Sequence, residues 1–218
     1  MRRFLILAAA LLLLASCAAR APQPETIEPR TTRAPRSDEI NIDYPVFPEC
    51  SDEVNALIKN AAYSALDWYD LEFFEPEERL TLDIGYEIKL KTDEFVSIAF
   101  QGWGYLEGTV YPNNWFSTLT LNVETGERVQ LADRVPVNTA FVEALHRAAK
   151  KTLEPERYEA YKNYYIDEKR YDLLSELAGA DAEGSEFYSY FTPDSVGISV
   201  PIWHVYGDHI EIEIPNNP

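Results

Sequence analysis

Apolar and polar residues alternate through most of Tyr86 to Leu131, and the remaining segments are arranged around this stretch. Ile84, Tyr86, Ile88 and Leu90 alternate with Glu87, Lys89 and Lys91. Val96, Ile98 and Phe100 form a second apolar row. Ser117, Leu119, Leu121 and Val123 form a third, opposite Thr118, Thr120 and Asn122. A period of two puts one row on a core and the other toward water or a partner. Glu124-Thr125-Gly126-Glu127 has the composition of a hairpin turn, after which Val129 and Leu131 resume the apolar row. The pattern predicts a meander of four or five consecutive strands. Strand patterns return near the end, in Phe187 to Phe191, in Val196 to Ile202, and in Ile210, Ile212 and Ile214. Val205-Tyr206-Gly207-Asp208 reads as the turn before the last of these.

Helical spacing flanks the strands. Ile40 to Tyr44 reads as a first strand, stopped by Pro45 and Pro48. Ser51 then caps a helix with Asp52 and Glu53 in its positive first turn. Its apolar face is Val54, Leu57, Ile58, Ala61, Ala62, Ala65, Leu66 and Tyr69, with Trp68 and Phe73-Phe74 closing the end. Asn138 caps another helix with the face Phe141, Leu145, Ala148, Ala149 and Thr152, and His146 falls off that stripe as a surface residue. One or two more helices are expected between Glu154 and Ala178, then a small polar loop from Ala180 to Ser185. The fold class these elements imply is α+β: mainly antiparallel meander sheets packed by an N-terminal helix and a central helical segment. Residues 38–134 form an N-terminal α+β subdomain. Residues 135–218 form a C-terminal helical and β-strand subdomain, compact with the first.

The first 37 residues follow other rules. Arg2 and Arg3 precede an apolar run from Phe4 to Leu14, too short to span a bilayer. Leu14-Ala15-Ser16-Cys17 matches a bacterial lipobox, so residues 1–17 read as a lipoprotein signal peptide and Cys17 as the lipidated residue. The expected location is extracytoplasmic, lipid-anchored to the cell membrane or the outer membrane, with the bilayer as a partner through Cys17. Residues 18–37, with Pro22, Pro24, Pro29 and Pro35 and almost no large apolar side chain, read as a disordered tether. Cys50 is the only other cysteine, so no internal disulfide is expected once Cys17 is acylated.

Charge narrows the partners. The chain has 37 acidic and 19 basic residues, net −18. Without Arg2 and Arg3, 17 basic residues face 37 acidic ones, a charge near −20. Nucleic acid and anionic lipid headgroups are poor partners for such a surface, whereas a cationic protein suits it. Trp103, Tyr105, Tyr111, Trp115 and Phe116 crowd one short segment, with Gly102, Gly104 and Gly108 among them. They read either as a second small core or as a partner-binding surface, since Tyr and Trp are favoured interface anchors. Pro112-Asn113-Asn114 would be an exposed tip beside them, which adds Asn113 to the expected surface. His209, Glu211 and Glu213 share the polar face of the last strand. That is the pattern of a solvated strand face, or of side chains able to converge on a metal ion. No nucleophile motif, phosphate loop or zinc signature is present in the sequence, so no catalytic residue, metal ligand or cofactor is assigned.

The run Tyr86-Glu87-Ile88-Lys89-Leu90, the Gly-Tyr pair at Gly104-Tyr105, the hairpin from Asn122 to Leu131, Val196-Gly197-Ile198 and the closing strand to Pro215 together resemble a known domain. It is the extracytoplasmic domain of RsiV-like anti-sigma factors, a domain that also precedes the catalytic part of PdaC-type peptidoglycan deacetylases. The resemblance spans about Ile40 to Pro215. It implies an α+β fold and, for this chain, a lipid-anchored binding module whose ligand is lysozyme or another cationic envelope protein. Where the family has tandem Pro-Tyr and Ala-Gly residues, this chain has Trp203-His204-Val205-Tyr206-Gly207-Asp208, and Trp203, His204 and Tyr206 join the expected partner surface. The alternative is an envelope enzyme or metal-binding protein acting on peptidoglycan. It would need a deep pocket where His204 or His209 meets carboxylates.

Overall fold

A computed structural model of the chain describes residues 30–33, 39–69 and 79–216. Strands β1 (Arg30–Arg33), β2 (Ile40–Val46), β3 (Leu80–Lys91), β4 (Phe95–Leu106) and β5 (Asn113–Asn122) form one sheet in that order. β3, β4 and β5 are the antiparallel meander the alternation predicts. β2 pairs antiparallel with β1 and parallel with β3, because α1 (Asp52–Tyr63) carries the chain back between them. β1 falls inside the stretch that composition assigns to a tether. A second sheet holds β6 (Tyr188–Phe191), β7 (Ser195–Pro201) and β8 (His209–Pro215), all antiparallel. Between the sheets in sequence come α2 (Leu131–Arg134), α3 (Thr139–Thr152), α4 (Pro155–Lys162) and α5 (Leu173–Ala178), with a π turn at Asn163–Asp167. The fold is α+β with two antiparallel-dominated sheets.

Two apolar layers hold it. Ser51 caps α1 by accepting from the Val54 amide at 3.2 Å. The face so started packs Val54, Ile58 and Ala62 on Leu82, Ile98, Phe100 and Leu121. Asn138 caps α3 through the Phe141 amide at 3.1 Å, and Phe141, Leu145 and Ala149 pack on Ile198, Val200 and Ile212. The sheets meet through a small cluster of Ala99, Phe116 and Tyr190. Polar ties accompany it: the Ser97 hydroxyl is 2.8 Å from Thr120 Oγ1 and accepts from the Phe191 amide at 3.0 Å.

Four expectations change. The meander has three strands, since the row does not resume as a strand after the turn. Arg128 forms one bridge with Leu121, and then Gln130 and Asp133 cap α2 reciprocally, sending Leu131 into the helical core. Leu90 does not share the row of Tyr86 and Ile88. A register shift between Ile88 and Leu90 turns Leu90 toward the helical core and puts the Lys91 ammonium 5.0 Å from the Phe47 ring. The N-terminal helix stops at Tyr63 and continues as a 3₁₀ turn, Ser64–Leu66, because Ser64 Oγ donates back to the Ala61 carbonyl at 2.7 Å. The Phe73-Phe74 pair lies outside the described residues. His146 is half-buried rather than exposed, its Nδ1 hydrogen-bonded to the Tyr161 hydroxyl at 2.8 Å, and burial holds its pKa below the usual value.

Candidate functional site

The connection between β4 and β5 and the connection between β7 and β8 come together at one end of the molecule. Asp208 joins them across 94 residues. One of its carboxylate oxygens accepts from the Asn114 amide at 2.7 Å, and the other is 2.7 Å from His204 Nδ1. Asn114 lies at the start of β5, an edge strand, so its outward amide is free to take a side-chain partner. Gly207, at φ 102, makes the sharp return that a side-chain-bearing residue would strain. His204 is thereby held 6.0 Å from the Tyr111 ring. Val110 (80% exposed), Tyr111 (65%) and Val205 (80%) stand out into solvent on the two connections.

The residues singled out in the sequence divide between this surface and the interior. Tyr111 and His204 form the exposed pair. Trp103, 39% exposed, lies opposite Asn114 in the register of β4 and β5. Tyr105 braces the loop by donating to the Thr109 carbonyl at 3.2 Å. Asn113 is half-buried and pairs with Gly104, whose missing side chain makes room for the Tyr69 ring. Trp115 is buried on the α1 side, because it pairs with Gly102 and shares the parity of the core row. Trp203 packs edge-on against Tyr164 at 4.8 Å, with the Arg170 guanidinium 5.0 Å from its ring and Tyr206 6.4 Å away.

Below this surface a cleft of about 110 Å³ opens between the sheets, lined by Trp68, Trp115, Glu186, Tyr188, Asp208 and His209, with Ser199 also in its wall. The His209 ring stacks on Phe116 at 4.8 Å. Burial pushes its pKa down to about 4, so the imidazole is neutral near pH 7. His209, Glu211 and Glu213 do not lie on one solvated face, as the alternation had implied. Their row turns toward the first sheet, running from half-buried His209 to exposed Glu213. Nor do the three converge. His209 Nε2 is 4.0 Å from Glu211, whose other oxygen is 3.8 Å from the Lys89 ammonium. Glu213 accepts from Tyr190 and Ser195 instead. Among the described residues no group of three or more His, Cys, Asp or Glu could hold a metal ion. A second hollow, about 440 Å³, lies between α3 and α5 and is lined mainly by apolar side chains such as Val142, Tyr165 and Leu174.

Sequence reasoning missed Ser199, Glu186 and the inward role of His209. The one signal was the spacing of Ser195, Gly197 and Ser199, small residues on the polar row of β7, which leaves room for another layer. No family model and no curated protein matches the sequence. Among solved structures, a DUF3298 family protein from Pseudomonas aeruginosa is 16% identical, with 86% of this chain and 90% of that one covered and a TM-score of 0.47. A DUF3298 family member from Bacteroides fragilis is 11% identical, with 85% and 89% covered and a TM-score of 0.48.

Proposed function

We propose that the chain is a lipid-anchored extracytoplasmic binding module that captures a cationic protein of the cell envelope, with a lysozyme-type muramidase first among its partners. The observation that carries this reading is the surface around Tyr111 and His204. Two distant connections are tied by Asp208 so that Tyr111, Val110 and Val205 are presented together on a fixed base. Exposed aromatic and apolar groups held in place lose little freedom on binding, which is what an interface anchor needs. A net charge of −18 supports a basic partner, because it steers encounter. The lipobox ending at Cys17, which lies outside the described residues, supports the anchor, and the resemblance to RsiV-like domains supports the muramidase.

The test is calorimetric titration of the Cys17→Ser chain with a basic lysozyme at about 0.01 M and 0.15 M salt, where screening lengths differ roughly fourfold. Saturable heat is expected at both, with slower association at the higher salt. Tyr111→Ala should raise Kd by about tenfold or more, mainly through faster dissociation. No heat at either salt removes lysozyme as the partner. Heat only at low salt, unchanged by Tyr111→Ala, reduces the interaction to nonspecific attraction of charge.

A further inference from the structure

The floor of the inter-sheet cleft has unmet hydrogen-bonding capacity. Ser199 Oγ and His209 Nδ1 are both buried and have no hydrogen-bond partner. Ser199 is 1% exposed, and both residues line the cleft. They face the same side of the second sheet on adjacent strands, since Ser199 pairs with Glu211 and Pro201 with His209. Leaving a buried polar atom without a partner is costly, so two at one floor point to a ligand that completes them.

The walls select the ligand's chemistry. Trp68, 55% exposed, stands at the mouth, with Tyr188 further along the wall and the Glu186 and Asp208 carboxylates beside them. Elsewhere the chain covers aromatic faces with its own cations. Arg170 sits over Tyr164 and Trp203, Lys89 over Tyr190, and Arg134 over Phe95. Among the described residues, no Lys or Arg lines this cleft, although the Arg157 guanidinium donates to the His209 carbonyl at 3.0 Å. Ionised carboxylates only accept hydrogen bonds, and a hydroxyl and a neutral imidazole nitrogen can accept as well. The complementary group therefore donates several hydrogen bonds, carries positive charge and stacks its stem on aromatic faces. An ammonium group has three donors and no acceptor.

We infer that this cleft is a receptor site for a lysine ammonium group presented by the partner protein, held by Ser199, His209 and the Asp208 or Glu186 carboxylate, with Trp68 closing over the methylene stem. The assignment rests on the reading of the chain as a module for a cationic protein. It adds a second, deeper contact beside the Tyr111 surface, because Asp208 belongs to both.

The experiment uses the Cys17→Ser chain labelled with nitrogen-15, and reads the His209 ring nitrogens by long-range proton–nitrogen spectra at constant ionic strength. The probe is n-butylammonium chloride. 1-Butanol serves as its uncharged counterpart and methyl N-acetylglucosaminide as a neutral sugar. A saturable shift at His209 is expected with n-butylammonium alone. Ser199→Ala and Trp68→Ala should each weaken it by about tenfold, the loss of one hydrogen bond to a charged group or of one cation–π face. No saturable shift, an equal response to 1-butanol, or a response to the sugar alone overturns the ammonium site. If n-butylammonium binds but no basic protein produces heat, the ammonium site stands and the protein partner falls. If a basic lysozyme binds both variants with unchanged Kd, the cleft proposal falls while the binding module stands.

Discussion

The Asp181 carboxylate accepts hydrogen bonds from three elements at once. Thr118 Oγ1 on β5 donates at 3.1 Å, the Leu131 amide at the start of α2 at 3.1 Å, and the amide of Ser189 on β6 at 2.6 Å, with the Ser189 hydroxyl as a fourth donor. Burial pushes its pKa up, and these four donors offset only part of that rise. One side chain thus satisfies polar groups from both sheets and from the helix between them. Asp181→Asn turns one acceptor oxygen into a donor facing donors. The expected loss is about 3 kcal/mol of stability, read as a lower urea midpoint at unchanged slope. A loss under about 0.5 kcal/mol would mean that the donors find other partners, and the tie would be incidental.

At the scale of elements, the second sheet is shaped by what its strands leave out. Gly197 on β7 lies under the Tyr190 ring of β6, and a Cβ there would come within 2.1 Å of the ring's Cζ. The Lys89 ammonium, at the irregularity in β3, is 4.6 Å from the same ring's centroid. The glycine, the ring and the bulged strand are therefore one device joining the two sheets. Gly197→Ala should cost about 2–3 kcal/mol by forcing Tyr190 to move. Adding Tyr190→Leu should return part of that loss, because residues in direct contact are not additive. Thermal unfolding of the two single variants and the double variant checks this. Strict additivity would show that the ring tolerates the methyl group.

For the whole molecule, the charge of −18 and the proposed lipid anchor at Cys17 pull in one direction. An acidic domain held near a bilayer keeps off anionic headgroups while attracting basic proteins. No helix among the described residues is long and apolar enough to cross a membrane. The proposed attachment is through Cys17, outside the described residues. Mass spectrometry of the membrane fraction should find a mature chain beginning at Cys17 with an acylated thiol. Cys17→Ser should move the chain to the soluble fraction or leave its leader uncleaved. An unmodified N-terminus at another residue would refute the anchor.

Elements were legible in the chain because their signals are local. Ser51 and Asn138 cap helices through amides three residues on, and the period of two in β3 to β5 and β7 to β8 needs no distant partner to be read. Alternation separates two rows of side chains without saying what covers each. So Trp115 read either as core or as a surface anchor and lies in the core, and His209, read as solvated or as part of a metal site, stacks on Phe116, which lies far back in the chain. The exposed surface at Tyr111 and the cleft beneath it arise from such closures: Asn114 with Asp208, Tyr111 with His204, and Ser199 beside His209. Their geometry depends on how two sheets and their helices settle against one another, and packing forces of that kind leave no spacing in the sequence.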